Sequence, residues 1–271
     1  MRLGIVLTTT GAEPAGNFIA RRAKAAEEHG LDSVWFFDAL GRGGMSLDPL
    51  VGVAAAAGAT ERVEVGTCIL QTPLRHPVEL ANRVLTTQMV CEKRFLFGVG
   101  AGSSKVDYDI VGIPFEERMP RFNDGLATMR RLWNGETEDG ANLHPSPQLA
   151  GGPPMLIGSW AGSRWIPRAA REFDGWISSA FYAGFDTLKA GIDAFREAGG
   201  KRALVTNISL DLTADAQPID DAKGPYTLMC GPEDASRRLQ RLADAGYDDA
   251  IVVHRGTGEP DYAAIRSLLP T

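Results

Sequence analysis

One feature constrains this chain more than any other: it repeats a single unit eight times. An apolar, β-branched run gives way to a Gly or Asp turn and then to an amphipathic helical stretch. The runs at 2–8, 32–37, 63–70, 95–101, 154–158, 174–179, 203–212 and 249–254 read as strands. The segments at 15–29, 48–59, 77–91, 120–134, 162–172, 185–198, 232–245 and 260–268 read as helices. Start and stop signals agree. Asp48-Pro49 is an N-cap followed by a proline at the first helical position, and Gly30 and Gly246 stand where helices stop. Eight strand–helix repeats are the count of a (β/α)8 TIM barrel, an α/β fold. A doubly wound sheet rarely needs eight regular repeats. The 271 residues then form one domain, 1–271, with no linker. Two segments break the rhythm: 102–119, a long loop after strand four, and 135–153, rich in Gly, Pro, Asn and Asp. Loops this long on a barrel are functional or act as lids.

Charge and composition narrow the function. The net charge of −6 excludes the basic surplus of a nucleic-acid binder. No apolar run reaches the length of a membrane span, and the opening apolar run at 3–7 is too short for a signal peptide. Three cysteines, Cys68, Cys91 and Cys230, form no CxxC pair and read as buried thiols in a reducing cytoplasm. Four scattered histidines show no ligand spacing, so no metal is expected.

In a barrel the active site forms at the C-terminal ends of the strands. The positions to weigh are Leu7 to Thr9, Asp38 to Gly44, Cys68 to Thr72, Gly100 to Ser104, Gly158 to Ser163, Ser178 to Tyr182, Thr213, and His254 to Gly258. The run Gly98-Val99-Gly100-Ala101-Gly102-Ser103 lacks the spacing of a dinucleotide fingerprint, and no helix opens directly behind it. It reads either as a place where backbone lies close to a flat ligand or as a glycine-rich bend. Gly158-Ser159-Trp160-Ala161-Gly162-Ser163 leads into a helix carrying Arg164. It reads either as an anion site at that helix start or as capping by Ser163. Asp38, closing the apolar strand Val34-Trp35-Phe36-Phe37, is a ligand or base, or else the cap of a turn. No Ser-His-Asp set, G-x-S-x-G or paired carboxylates stand out, so hydrolase chemistry has little support.

The stretches AAEEHGLDSVW at 25–35, RVEVGT at 62–67, PLRHP at 73–77, RFLFGVGAG at 94–102, LWNG at 132–135 and RAAREFDGW at 168–176 carry a resemblance. In this order they resemble the bacterial luciferase-like family of flavin- and deazaflavin-dependent oxidoreductases, over residues 1 to about 180. The resemblance implies a (β/α)8 barrel whose cofactor lies flat across the strand ends. That cofactor is the deazaflavin coenzyme F-420 or, alternatively, FMN in a monooxygenase. It also implies a small-molecule substrate, a homodimer, and a cis peptide at the end of strand three, here Cys68-Ile69. Asp38, Thr67, Cys68, Ile69, Gly100, Gly102 and Ser103 would line the ring and its tail; Gly158, Ser159, Gly162, Ser163 and Arg164 would hold the phosphate. Asp38, then His254, are the candidates for proton transfer. Two departures matter: many deazaflavin members carry Asp-His where this chain has Asp38-Ala39, and some carry an acid where it has Ser103. These argue against the sugar-phosphate dehydrogenase activity of one branch. A flavin-binding barrel without turnover is the reading from a different class.

Overall fold

The computed structural model describes residues 1–8, 17–42, 45–216 and 218–269. Thr9, Gly43, Gly44 and the first residues expected in helix one lie outside them. Eight parallel strands form the barrel: β1 (Arg2–Val6), β2 (Ser33–Phe36), β3 (Glu64–Thr67), β4 (Phe95–Gly100), β5 (Met155–Gly158), β6 (Gly175–Ser179), β7 (Ala203–Asp211) and β8 (Asp249–His254). Each pairs with the next, and β8 pairs with both β7 and β1, which closes the sheet. Two-residue strands at Leu70–Gln71 and Leu228–Met229 extend the mouth. The helices are α1 (Phe18–Glu28), α2 (Pro49–Ala59), α3 (Pro77–Cys91), α4 (Lys105–Ile110), α5 (Arg118–Trp133), α6 (Ile166–Glu172), α7 (Phe185–Glu197), α8 (Pro232–Ala245) and α9 (Tyr262–Arg266). The expected closed (β/α)8 barrel is what forms.

Two apolar layers result from the alternation of side chains along each strand. The residues facing outward meet the helices in one large core. Facing inward is a separate cluster of Val6, Trp35, Cys68, Leu96, Leu156, Ile177, Leu204, Ile251 and Val253. Trp35 is the largest of these. Its indole occupies the space that a Cβ at Gly66 would need, and its N–H donates to Ser33 Oγ at 2.7 Å.

Three local expectations need correction. The loop after strand four holds α4, whose Asp107 and Tyr108 are fully buried. Six residues are too few to show a helical period. Helix five does not start at 162 but at Ile166, with Pro167 in its first turn. A start at 162 would have put Pro167 inside the helix, where it would lose a hydrogen bond and clash. Strand three breaks after Thr67, and the Cys68–Ile69 peptide is cis, as the resemblance implied.

Candidate functional site

The C-terminal strand ends surround an open cavity of about 590 Å³. Its base is apolar: Phe37, Cys68, Ile69, Ile177 and Val253. The Cys68 thiol is buried and pushed up to about 12 by desolvation, so it stays protonated and neutral near pH 7.

The wall after β2, β3 and β4 carries the charge. Asp38 lines it, yet its carboxylate is fully engaged. It forms a two-pronged ion pair with Arg75, one arm at 3.0 Å, and accepts the Gln71 backbone N–H at 3.0 Å. Gln71 Nε2 donates to the Asp38 carbonyl and to Asp107 Oδ2, both at 3.0 Å. Asp107 also pairs with Arg42 and accepts the Leu40 N–H. Burial raises the Asp107 pKa, but the bonds from Arg42 and Gln71 outweigh it and hold the carboxyl below its ordinary range. Arg118 of α5 stacks on Phe115, 4.0 Å above the ring centroid. Arg42 and Arg118 both line this wall. The cavity as a whole meets three arginines and one carboxylate, Asp38; with Asp38 paired to Arg75 and Arg42 paired to Asp107, Arg118 and Arg255 are the positive surplus. That surplus suits an anionic ligand.

The glycine run has a physical cause the sequence could not show. A Cβ at Gly98 would run into the Thr67 carbonyl, and one at Gly158 into Ile69 Cγ2. A Cβ at Gly100 would sit 3.0 Å from Ile69 Cδ1. The close approach is therefore to the last residue of β3 and the residues following it, with Ile69 seated over Gly100 and Gly158. Thr67 Oγ1 donates to the Gly98 carbonyl at 2.6 Å; this ties strands together, and Thr67 does not line the cavity.

The opposite wall, after β5 to β8, is aromatic and polar. Trp160 and Tyr182 meet edge-to-face at 5.2 Å, and Phe181 meets Tyr182 at 4.5 Å. All three line the cavity and are more than 40% exposed. Ser159, Ser163, Ser179, Thr206 and Asn207 supply polar groups.

Of the residues singled out in the sequence, Asp38, Cys68, Ile69, Gly100, Gly102, Ser103, Gly158, Ser159 and Ser163 meet at the cavity. Gly162 and Arg164 are exposed and do not line it. His254 ends β8 but faces away from the barrel axis: Val253 and Arg255 line the cavity and His254 does not. Strict alternation along β8, with Ile251 and Val253 inside, was the signal that placed it. Thr213 lies beyond the mouth, bonded to Asp211, because β7 runs nine residues and overshoots. Thr206, Asn207 and Arg118 were missed. Arg118 arrives from α5, and a cavity-facing pair inside β7 has no signature of its own. Among the described residues no cluster of His, Cys, Asp or Glu could hold a metal, and no helix is long and apolar enough to cross a membrane.

Comparisons with known proteins agree with this geometry. The chain is similar to a coenzyme F-420-dependent glucose-6-phosphate dehydrogenase of Nocardia farcinica, 31% identical over 84% of this chain and 85% of that protein. Two solved structures share the fold. A monooxygenase from Streptomyces bottropensis superposes with a TM-score of 0.78 at 18% identity, covering 99% of this chain and 96% of the other. An F-420-dependent secondary alcohol dehydrogenase, solved with an F-420–acetone adduct, gives 0.76 at 18% identity over 97% and 96%. The family model for luciferase-like monooxygenases matches residues 1–223. The repeat count, the closed barrel and these matches lead to one conclusion: the chain belongs to the luciferase-like monooxygenase family.

Proposed function

We propose that this protein is an oxidoreductase that moves a hydride between coenzyme F-420 and an organic substrate. The observation that carries the reading is the cavity's division into an apolar base backed by Ile69 and a cationic wall whose two acids, Asp38 and Asp107, are each paired with an arginine. The deazaflavin has a flat ring and a phosphodiester tail ending in acidic glutamyl groups, and each half of the cavity matches one of these. Residues of this chain fit the group in a second way. Gln71 Oε1 is buried beside Gly102 with no hydrogen-bond partner, an acceptor left open at the mouth.

When bound, the deazaflavin supplies the hydride chemistry itself. The chain's own residues do the rest. Ile69, held over Gly100 and Gly158, backs the ring. Arg42 and Arg118, with Ser103 and Ser159, hold the anionic tail. Asp38 fixes Arg75 and Gln71 in place; with both carboxylate oxygens committed, we assign it positioning rather than proton transfer. His254 stands outside the cavity, and we assign it no proton-transfer role. The Nocardia relative is named for glucose 6-phosphate; Ala39, buried here, and Ser103 depart from the pattern of that branch and argue for another substrate.

We further infer one working domain over 1–271, acting as a homodimer in the cytoplasm. Three buried free thiols support a reducing compartment. Exposed Val51 of α2 with Met89 and Val90 of α3 supports self-association.

Titration of the purified protein with F-420 and with FMN, followed by visible absorption, tests the reading. F-420 is expected to bind at least about tenfold more tightly, a difference of about 1.4 kcal/mol. Tighter FMN binding would move the protein to the FMN-dependent monooxygenases. Binding of F-420 with no turnover toward any of a panel of alcohols, ketones and enones would point to the non-catalytic barrel.

A further inference from the structure

β7 carries an irregularity that bears on what the enzyme accepts. Against β8, Val205 pairs with Ala250 and Ile208 with Val252, so Thr206 and Asn207 both stand opposite Ile251. This is a β-bulge, two residues against one, and Asn207 takes the left-handed conformation with φ 59°. In a regular strand Leu204 and Thr206 would face inward and Asn207 outward. The bulge instead brings Thr206 and Asn207 together onto the cavity, and beyond it Ile208 and Leu210 pack in the outer core, so the alternate position, Ser209, turns inward. Such bulges re-aim side chains beside active sites.

What they present is specific. Thr206 is 3% exposed, and its Oγ1 has no nitrogen or oxygen partner among the described residues. Its polar neighbour is the Cys68 thiol, a weak partner. A buried hydroxyl whose one partner is a thiol keeps most of its hydrogen-bonding capacity unused, so one aimed into a cavity signals a ligand group. Asn207 is braced, donating from Nδ2 to Ser179 Oγ at 3.0 Å. Above this pair stand Trp160, Phe181 and Tyr182, exposed rings that neighbour one another at the rim. Arg255, the cation on this side, is turned to Ser209 Oγ at 3.2 Å and lies in solvent.

We propose that this half of the mouth binds a substrate with an aromatic body bearing one carbonyl or hydroxyl oxygen, the rings at the rim taking the body and Thr206 Oγ1 the oxygen. The inference rests on the oxidoreductase reading above and deepens it.

The test is calorimetric titration with 2-acetylnaphthalene, 2-ethylnaphthalene and glucose 6-phosphate, with and without F-420. The ketone should bind about tenfold more tightly than the hydrocarbon. Thr206→Val should erase that preference while keeping hydrocarbon and F-420 binding, and Thr206→Ser should restore it. The double variant Trp160→Ala, Tyr182→Ala should weaken both aromatic probes about tenfold. Three results would overturn the proposal: a ketone preference that survives Thr206→Val, binding of glucose 6-phosphate but of neither aromatic, or no binding of either aromatic. Failure of F-420 to bind, with the probe pattern intact, would count against the cofactor reading alone.

Discussion

The two ends of the barrel use the same strands and opposite chemistry. At the N-terminal end, Arg202 donates to Asp249 at 2.9 and 2.7 Å and to Glu64 at 3.2 and 2.7 Å, and Arg2 adds a 2.7 Å bridge to Glu64. Every charged group in this network has a partner, and Asp249 is wholly buried. At the C-terminal end Gln71 Oε1 is buried without one, and Thr206 Oγ1 has only the weak Cys68 thiol. The closed end has spent its polar groups on itself, whereas the open end keeps some for a ligand. One end therefore serves stability and the other recognition.

The largest expected effect breaks the closed end. Arg202→Met leaves the fully buried Asp249 with only a 3.7 Å contact to Arg2 and removes one of the two arginines on Glu64, and should cost about 3 kcal/mol in urea unfolding. Cofactor affinity per folded molecule should not change. A loss below about 1 kcal/mol would mean that the network is ornamental and that the contrast between the ends is overdrawn.

A substitution at the mouth should show the reverse balance. Gly158→Val drives a branched side chain into Ile69, costing about 2 kcal/mol through overpacking. F-420 affinity should fall more than tenfold, because Ile69 must move into the cavity. Unchanged affinity would show that Ile69 does not back the ring.

The smallest effect is a pH dependence at the mouth. The Asp107 carboxyl is held below its ordinary value near 3.8 in the folded chain. As pH falls, the unfolded chain takes up the proton first. The Arg42–Asp107 pair therefore stabilises the fold above about pH 4, and that share is lost as pH drops through the folded value. Arg42 is 47% exposed, so solvent screening limits the share to about 1 kcal/mol. Asp107→Asn should lower stability at pH 7 and converge with the parent protein in acid-unfolding curves as pH falls below that folded value. A constant gap across that range would assign the contribution to packing of α4 instead.

Much of the site was legible in the strand ends alone. Asp38, Ile69, Gly102, Ser103 and Ser159 were reached by locating where each apolar run stops, and they do meet. The reading erred where it trusted a local motif over the period. His254 was singled out as chemistry at a strand end, although alternation with Val253 turns it away. Gly162 and Arg164 were assigned to a helix start, although Pro167 marks that start four residues later. The glycine run was seen to mean close approach, but the approaching group, Ile69 from another strand, was not visible.

By itself the sequence determined the eightfold repeat, the layering of apolar side chains and the family, because these follow from periodicities of two and 3.6 residues and from local motifs. Only the tertiary structure decided the mouth. The bulge at Thr206 and Asn207 exists in register with β8, more than forty residues away. Arg118 reaches the cavity because α5 packs beside it, and the Gln71 amide is aimed by the Asp38 backbone carbonyl and the Asp107 carboxylate, from two other segments. Each of these depends on which segments lie next to each other in the fold, and non-local contact leaves no period in the chain to read.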